Sequence, residues 1–420
     1  MKASRIWKGL AFSLAALGIV AATVPASAAN LVMWERSGGN KDMVDKLVEM
    51  WNAKYPDRRI NLTYIPHAEM VAKLAQAIAS GDVPDLMGMD LIYAPQFEKA
   101  GQLVDITDQV GSLPELKTAS SGHMMVATYD KRIYGVPLYA DVSALFYNKD
   151  LFEKAGLDPN KPPRSLGELR QDADRITALG GDIKGYYLPG SCAGCNIFTV
   201  GPLMWASGAK IEAKDTGDEP LVGDGVAKVL QFERDMVNAG NVHASDRAEN
   251  GETFHLQFGS GKVGMMGTGN FNIKLARDQN PNMKFGIALL PGIEPGSAAS
   301  FIGGDLVVIP KGSKRVADAV DFMKFILSDE VQVEGYAKLL NLTTRKDMVD
   351  NKYFKAEPLV QDVAKALTIG RTPYTLTFFE QINSPQGPWL QMLQRAYYTD
   401  DRIDQIIADA KAKMKAIATQ

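Results

Sequence analysis

Residues 135 to 158 form the run of this chain that most limits the folds open to it. A Gly-Val-Pro opening favours an extended backbone, and apolar residues then alternate from Val142 to Tyr147 as in a buried strand. Lys149 to Ala155 has the composition of a short helix, and Gly156 is a helix-stop signal. A long strand that leads directly into a helix can pass between two lobes, so the run predicts a crossing segment.

Length and charge narrow the class of protein. A chain of 420 residues exceeds the usual size of one hydrophobic core, and its 46% hydrophobic residues provide enough apolar surface for two domains. The formal net charge of -3 at pH 7 argues against nucleic acid or an anionic membrane as a partner.

The first residues follow the pattern of a secretory signal peptide. Three basic residues among the first eight precede the apolar run Leu10 to Val24, and Ala26-Ser27-Ala28 resembles a cleavage site. We therefore expect residues 1–29 to be a removed signal peptide. No cysteine lies near the cleavage site, which favours a freely diffusing periplasmic protein over a lipid-anchored one.

The two cysteines, Cys192 and Cys195, lie in a segment that reads as a loop. In an exported protein this spacing favours a local structural disulfide. A thioredoxin-like redox site would instead need the pair at a helix start after a strand. A zinc site would need further ligands, which the four scattered histidines do not obviously supply.

Strand and helix patterns alternate through the first hundred residues. Strands are predicted at Asn30 to Trp34, Ile60 to Ile65 and Asp85 to Met89, with helical spacing of apolar residues between them. Such β-α units predict a mostly parallel sheet with helices on both faces. Ligands bind beyond the carboxyl ends of the strands in these sheets, which here are Trp34 to Arg36, Pro66 to His67 and Asp90 to Tyr93.

The order and spacing of several motifs resemble the carbohydrate-type extracellular solute-binding proteins, the maltose-binding-protein-like receptors of ABC importers. Besides the run 135 to 158, these motifs are Ala79 to Leu86, Gly101 to Ile106, Phe258 to Gly267 and Gly303 to Ile309. The resemblance covers nearly all of the chain after the leader. It implies an α/β, two-lobe periplasmic-binding-protein fold of type II, in which each lobe is a mostly parallel sheet flanked by helices.

The resemblance also implies how the lobes are assembled. Lobe 1 would comprise residues 30–140 and 302–338, and lobe 2 residues 141–301 and 339–420. Three crossing segments, near Tyr139 to Val142, Ala298 to Gly303 and Gly335 to Arg345, would form a hinge. The protein would be a monomer that works with the permease subunits of an ABC transporter in the inner membrane.

A sugar site needs both polar and aromatic side chains. Hydroxyl groups donate and accept hydrogen bonds, and the C–H face of a sugar packs on rings. We expect strand-end and crossing-segment residues of these types to bind ligand: Trp34, Asp90, Tyr93, Tyr139, Asp141, Trp205, Asn270, Phe271 and Asp305. Gly267, Gly303 and Gly304 would let the backbone approach the ligand closely. The remaining candidates are Arg36, His67, Arg345, Arg371 and Tyr374.

Several candidates have a structural alternative. Asp141 lies between apolar residues, where an unpaired carboxylate is costly to bury, so either a ligand or an internal arginine should satisfy it. The same reasoning applies to Asp305, and Arg36 could pair with Glu35 at the surface. Core packing or simple surface exposure would equally explain Trp34, Trp205, Trp389 and His67.

We therefore expect a receptor that captures a sugar, oligosaccharide or polyol between two lobes, with no cofactor or metal. A phosphorylated polyol bound by Arg36, Arg345 or Arg371 is an alternative ligand, but the acidic candidates favour a neutral one. A secreted glycoside hydrolase with Asp141 and Asp305 as acid and base is the alternative from another class. Catalytic signatures are absent, and the Gly-x-Gly-x-x-Gly at Gly259 precedes a predicted strand, the reverse of a dinucleotide motif, so we expect no enzyme.

Overall fold

Helices and strands alternate along the chain. The computed structural model describes residues 30–37, 40–66, 69–213 and 217–419, so the predicted signal peptide and His67 lie outside the described residues. The strands are β1 Leu31–Arg36, β2 Ile60–Ile65, β3 Leu86–Asp90, β4 Thr128–Tyr129, β5 Arg132–Ile133, β6 Gly135–Asn148, β7 Lys184–Tyr186, β8 Val263–Gly269, β9 Phe285–Ala288, β10 Leu290–Pro291, β11 Ala298–Val308 and β12 Gly370–Arg371.

The α-helices surround these strands. The first nine are α1 Lys41–Lys54, α2 Met70–Ser80, α3 Ala94–Lys99, α4 Thr107–Val110, α5 Pro114–Thr118, α6 Ser121–Val126, α7 Lys149–Lys154, α8 Leu166–Thr177 and α9 Ala193–Ala206. The others are α10 Asp224–Asn238, α11 Asn272–Gln279, α12 Val316–Leu327, α13 Asp329–Val331, α14 Lys352–Lys355, α15 Pro358–Ala364, α16 Ala366–Ile369, α17 Pro388–Tyr398 and α18 Ile403–Ala418. None of the helices in these described ranges is long and apolar enough to cross a membrane.

The first βα units form as their sequence patterns predict. Helix α1 buries its apolar stripe of Met43, Val44, Leu47, Val48 and Trp51 against the sheet side of the core. Helix α2 ends at Gly81, whose φ of 76° continues the chain in the left-handed region. Strand β2 spans the predicted residues, whereas β1 and β3 each extend past the predicted end.

One large sheet connects the two ends of the molecule. Its strand order is β2-β1-β3-β11-β6-β8-β7, and β9, β10 and β12 pair at its margins. The α/β class is confirmed, but the sheet is mixed rather than mostly parallel. Strands β1, β2 and β3 are parallel, and β7 is parallel to β8, whereas β11 and β6 pair antiparallel with each other and with their other long neighbours.

Strands β6 and β11 cross the middle of the molecule side by side. The run that opened the sequence analysis forms β6, a 14-residue strand that leads directly into α7. Asn148 caps that helix by accepting a hydrogen bond from the Leu151 backbone N–H at 3.1 Å. The β6–β11 ladder shifts register between Asp305 and Leu306, next to Gly304, whose φ is 117°.

The buried hydrophobic residues form four clusters that divide along the chain. The buried members of two clusters come from positions 31–139 and 306–336. Those of the other two come from positions 140–302 and 337–414. The crossing strands therefore connect two separately packed regions.

The segment of Cys192 and Cys195, which reads as a loop in the sequence, begins a helix in the structure. Helix α9 starts at Ala193 and ends at Ala206, so Cys195 belongs to its first turn and not to a loop. The local cause is Cys192, which caps the helix through its sulfur atom. Trp389 is fully buried in α17, which agrees with its core-packing alternative.

Candidate ligand-binding cleft

A cavity of about 270 Å³ opens beside the crossing strands. Its polar side chains are Arg36, Asp90, Asp141 and Asn383, and the backbones of Gly194, Gly303 and Gly304 line it between them. The apolar lining consists of Ile92, Cys195, Ile197, Phe198, Phe254, Phe271, Phe301 and Phe378. These residues come from both packed regions, so a molecule in the cavity would contact both.

The topology of the sheet brings the polar residues together. Arg36 ends β1 and Asp90 ends β3, and these parallel neighbours finish at the same edge of the sheet. Asp90 pairs with Asp305 across β3 and β11, and Asp141 pairs with Gly303 across β6 and β11. Arg36 and Asp90 therefore lie at the strand ends where ligand residues are predicted.

Arg36 is held at the cavity by a buried group of polar residues. Its Nε donates a hydrogen bond to Oδ1 of Asp305, which is fully buried. The Asn40 amide donates to Oδ2 of Asp305 at 2.8 Å and to Oε1 of Glu35 at 2.9 Å. Asp305 therefore has the internal arginine partner that was its alternative, and the Glu35 carboxyl is buried beside Asn40 instead of forming a surface pair with Arg36.

Burial and charge shift the pKa values within this group. Burial raises the pKa of Asp305 to about 6 even though Arg36 opposes the shift. Burial, together with the charge of Asp305, raises the pKa of Glu35 well above its usual range. Burial disfavours the charge on Arg36, but Asp305 and Asp90 outweigh this effect and raise its pKa.

Asp141 is the polar group of the cleft with unused hydrogen-bonding capacity. Its Oδ1 is buried and has no hydrogen-bond partner among the described residues. Burial raises the pKa of this carboxyl to about 7, against the opposing charge of Arg36. An oxygen in this state would gain a hydrogen bond from a hydroxyl group of a bound ligand.

Glycine is required next to Asp141. A Cβ atom on Gly303 would lie 2.5 Å from Oδ1 of Asp141, and one on Gly304 would lie 1.9 Å from the Tyr139 carbonyl oxygen. Both contacts are too short for any side chain. The Gly-Gly pair thus allows the two crossing strands and the carboxyl group to occupy the same small space.

Phenylalanine rings form an apolar wall on the other side of the cavity. The ring centroid of Phe198, from α9, lies 5.4 Å from that of Phe301 and 6.4 Å from that of Phe271. The indole of Trp205 stacks on Phe301 from behind, with centroids 6.2 Å apart. Such rings offer a surface for the C–H face of a ligand.

The structure brings six of the predicted site residues to this cavity: Arg36, Asp90, Asp141, Phe271, Gly303 and Gly304. Trp205 and Arg371 instead line a second cavity of about 230 Å³. Arg345 is nearly buried elsewhere, where it pairs with Asp329 and Asp347 at 2.6 Å each. The three arginines proposed for a phosphate therefore do not meet in one cavity.

The other described candidates are not part of the cavity lining, and each has contacts within the protein. The Tyr93 hydroxyl accepts a hydrogen bond from Asn383 at 3.4 Å, and the Asn270 side chain accepts one from the Val142 N–H at 2.9 Å. Tyr139 is buried, and its carbonyl accepts a hydrogen bond from His123 at 2.8 Å. Trp34 and Tyr374 are half-buried against the hydrophobic cluster that contains Met70, and Gly267 packs on Thr199.

Several residues that line the cavity are not among the candidates predicted from the sequence. Phe198, Phe254, Phe301, Phe378 and Asn383 come from helices, loops and the middle of a strand, where no strand-end rule selects them. Phe301 stands two residues before the pair Gly303 and Gly304 on β11. Its closeness in sequence to these two predicted site residues would have identified it as a candidate for the cavity lining. Cys195 and Gly194 were considered only as part of a loop.

The two cysteines lie at one end of the cleft. Their Sγ atoms are within bonding distance and their Cα atoms are 5.2 Å apart, a separation typical of disulfides. Cys192 is the N-cap of α9, and its Sγ accepts a hydrogen bond from the Cys195 N–H at 3.0 Å. In the described part of the chain, no group of three His, Cys, Asp or Glu side chains is arranged to hold a metal ion.

Comparison with known proteins identifies a family and a fold. A family model described as bacterial extracellular solute-binding protein matches residues 46–362. A Brucella abortus protein described as a binding protein is 25% identical over 98% of both chains, and the arabinooligosaccharide-binding protein of Bacillus subtilis is 24% identical over 74% of this chain and 71% of its own. The ABC transporter solute-binding protein of Thermotoga lettingae, solved with α-D-tagatose, superimposes with a TM-score of 0.78 at 23% identity over 93% of this chain and 99% of its own.

Proposed function

Because this chain belongs to the bacterial extracellular solute-binding proteins, we propose that it binds a neutral sugar or polyol in the cleft at Asp141 and delivers it to the permease of an ABC importer. One observation carries the proposal: carboxylates and a wall of phenylalanine rings, contributed by both packed regions, line the same cavity of about 270 Å³. Small-molecule sites usually enclose about 300–1,000 Å³, so a cavity near the lower end suits a small ligand.

The charges around the cavity favour a neutral ligand over an anionic one. Among the described residues of the lining, Arg36 is the only cation, and Asp305 already balances its charge. Asp90 and Asp141 add two further carboxyl groups. A phosphate would meet these carboxyls with no further cation from the described part of the lining to compensate, whereas sugar hydroxyls can donate hydrogen bonds to them.

The chemistry of the site favours binding over catalysis. A glycoside hydrolase needs two carboxyl groups that both reach the glycosidic bond. Asp305, one of the proposed pair, is fully buried and is held by Arg36 and Asn40. The family and the similar proteins are likewise binding proteins.

We propose two lobes, with residues 30–140 and 302–338 in lobe 1 and residues 141–301 and 339–420 in lobe 2. The division of the hydrophobic clusters near positions 140, 302 and 337 supports these boundaries. The third crossing lies beside the first, since Tyr336 donates a hydrogen bond to the Leu138 carbonyl at 2.7 Å and Leu342 forms a bridge with Ala140. A ligand that contacts both lobes would stabilise a closed arrangement about this hinge.

We propose also that the protein is exported, that its two cysteines form a disulfide bond and that it is a monomer. A cleavable signal peptide at residues 1–29, release into the periplasm without a lipid anchor, and a monomeric receptor fit the extracellular family. An oxidising compartment also fits a bond between Cys192 and Cys195. The mass of the protein purified from the periplasm would test both the cleavage site and the bond.

A thermal-shift screen of the mature protein tests the proposed ligand class. The panel contains tagatose, maltose, an arabinooligosaccharide, mannitol and glycerol phosphate. We expect at least one neutral compound to raise Tm by a few degrees, since a ligand at about 100 times its Kd adds about 2.7 kcal/mol of stability. Stabilisation by glycerol phosphate alone, or hydrolysis of the oligosaccharide during incubation, would contradict the proposal.

A further inference from the structure

The Cys192 and Cys195 pair has the placement of a reactive disulfide. The pair stands at the N-terminus of α9, a helix of 14 residues, with Cys192 as N-cap and Cys195 in the first turn. A thioredoxin-like pair also stands at a helix start, although five residues here separate the end of β7 from Cys192. In this protein the pair is also at the wall of the ligand cavity, which a purely structural cross-link would not need.

The two cysteine residues differ in exposure. Cys195 is half-buried and lines the cavity, whereas Cys192 is 8% exposed and does not line it. Gly251 covers the pair from another side, since a Cβ there would lie 3.1 Å from Sγ of Cys192 and 3.6 Å from Sγ of Cys195. A small thiol therefore reaches the pair from the cavity and meets Cys195 first.

The sulfur atom of Cys192 is placed to leave as a thiolate when a thiol attacks Cys195. The Cys195 backbone N–H donates to Sγ of Cys192 at 3.0 Å, and the positive end of the helix dipole lies at the same position. Both interactions stabilise a thiolate more than a neutral thiol. Attack on Cys195 thus expels the sulfur atom that is better able to carry the negative charge.

We propose that the Cys192–Cys195 disulfide is a thiol-exchange site that is entered through the ligand cavity, and that a bound ligand closes this entrance. A thiolate of an external dithiol attacks Sγ of Cys195, which forms a mixed disulfide and breaks the S–S bond, and Cys192 leaves as a thiolate. The second thiolate of the reductant then displaces Cys195. The dithiol is oxidised to its disulfide, and its two electrons and two protons end on the two cysteines of the protein.

Ligand occupancy and exchange are coupled in this arrangement. Cys195 and Asp141 line one cavity, so a sugar bound at Asp141 stands in the path of the attacking thiol. This coupling rests on the proposed function, whereas the direction of attack does not. By linkage, reduction must change the affinity for the sugar by the same factor by which the sugar changes the reduction equilibrium.

Trapping experiments test the direction of attack. The chain has two cysteines, so every thiol that appears comes from this pair. The native mature protein is incubated with glutathione, quenched with acid and iodoacetamide, and mapped by peptide mass spectrometry. We expect glutathione on Cys195 and the alkyl group on Cys192, and the reverse pattern, or no adduct before the protein unfolds, would overturn the proposal.

Single-cysteine variants provide an independent measurement. Cys192→Ser and Cys195→Ser each leave one thiol, whose reaction with dithiobis(nitrobenzoate) is followed in native protein and in urea. Because Cys192 is the better-stabilised thiolate, the rates are compared at their high-pH plateau, where both thiols are fully ionised. There we expect the Cys195 thiol of the first variant, which lines the cavity, to react about tenfold faster or more than the Cys192 thiol of the second, with equal rates in urea. Equal rates in the native proteins would overturn the proposal.

The rate of reduction by dithiothreitol tests the route and the coupling. Reduction of the native state should not depend on low concentrations of urea, whereas a rate that rises steeply with urea would show that unfolding is required and would overturn the proposal. Maltose, or the first panel compound that raises Tm, is then added at about ten times its Kd or more, and we expect it to slow reduction about tenfold or more, because about a tenth of the protein or less then has an open cavity. An unchanged rate would overturn the coupling. If no panel compound raises Tm, the proposed function fails, while the trapping result still decides the direction of attack.

Discussion

Arg36 donates a hydrogen bond from its Nε to Oδ1 of Asp305, a residue 269 positions further along the chain. Arg36 reaches the cavity with a side chain that is 18% exposed, whereas Asp305 lies behind it with no exposure. The pair joins the end of β1 to the crossing strand β11. It therefore holds a guanidinium group at the base of the cleft and connects the wall of the cleft to the proposed hinge.

Loss of the Asp305 charge should destabilise the protein. Asp305→Asn leaves Arg36 without its buried counter-charge, and removal of one partner from such a pair costs about 3–5 kcal/mol. The same substitution removes a buried carboxylate whose pKa is raised to about 6, which offsets up to about 3 kcal/mol of this cost. We expect a net loss of about 1–2 kcal/mol in urea unfolding at pH 7. In the control, Asp278→Asn, the lost ion pair with Lys274 is exposed, and the change should stay within about 0.5 kcal/mol. Equal effects of the two substitutions would show that the Arg36 pair is not important for stability.

Because of Asp141, the stability of the unliganded protein should fall as pH rises, whereas its affinity for the ligand should increase. Burial raises its pKa to about 7, whereas an unfolded aspartate titrates near 3.9. Between these values the folded state holds a proton that the unfolded state has lost, so this group lowers the stability of the unliganded protein as pH rises. Asp141→Asn should reduce the fall in Tm between pH 5 and 8.

The same substitution should weaken ligand binding most above pH 7. There the wild-type carboxylate accepts hydrogen bonds from the ligand at full strength, and charged acceptors bind hydroxyls more strongly than an amide does. Calorimetric titration at pH 6 and 8 with the best compound of the thermal-shift panel measures the difference. A ratio of wild-type to variant affinity that is the same at both pH values would argue against a contact between Asp141 and the ligand.

Glu98 should be a source of instability at alkaline pH. It is 1% exposed, both carboxyl oxygens lack partners among the described residues, and burial raises its pKa to about 8. The folded state therefore keeps a proton between about pH 4 and 8 that the unfolded state loses, so stability falls over this range. Glu98→Gln should raise stability at pH 8 by about 2 kcal/mol, while Glu49→Gln, at an exposed site, should change little. The measurement is urea unfolding at pH 5 and pH 8. If Glu98→Gln raised the free energy of unfolding equally at both pH values, the result would contradict the raised pKa of Glu98.

Gly304→Ala should disrupt the crossing strands. The backbone there has a φ of 117°, and a Cβ would lie 1.9 Å from the Tyr139 carbonyl oxygen, so the substitution adds a clash to backbone strain. Gly296→Ala is the matched control, because its φ is 90° and a Cβ there would have no atom within 4 Å. We expect a loss of about 1 kcal/mol in the control and a much larger loss, or failure to fold, at Gly304. Similar melting temperatures for the two variants would mean that the clash is relieved at low cost.

Phe271→Ala should weaken ligand binding without a large loss of stability. Phe271 is half-buried in the wall of the cavity, and a ring contact contributes about 0.5–1.5 kcal/mol, which corresponds to up to about a tenfold loss of affinity. Phe379→Ala, at a residue that is 44% exposed and outside the cavity lining, is the control. Calorimetry on both variants measures the difference, and equal affinities would exclude Phe271 as a ligand contact.

The spacing of apolar residues and the helix-ending glycines predicted individual helices and strands well, because both act between residues that are close in sequence. The helical spacing from Met43 to Trp51 defined the buried face of α1, and Gly81 ended α2. The same reasoning failed at α9, because the cap of that helix is a cysteine sulfur atom, an N-cap that the usual residue preferences do not include. The sheet is mixed because β6 and β11 return antiparallel across the middle, and pairing direction is not visible in strand periodicity.

The sequence by itself determined the α/β class, the long crossing strand and the candidates Arg36 and Asp90 at strand ends and Asp141 within the crossing strand. The class and the crossing strand follow from hydrophobic periodicity, Arg36 and Asp90 from the rule that parallel strands finish at one edge, and Asp141 from the cost of burying an unpaired carboxylate. Only the tertiary structure decided that Asp305 supports Arg36 from behind, that Phe198 and Phe301 complete the cavity, and that Cys195 opens onto it. These relationships depend on the packing of distant segments, because the direction in which a side chain points is set by neighbours that sequence distance does not reveal.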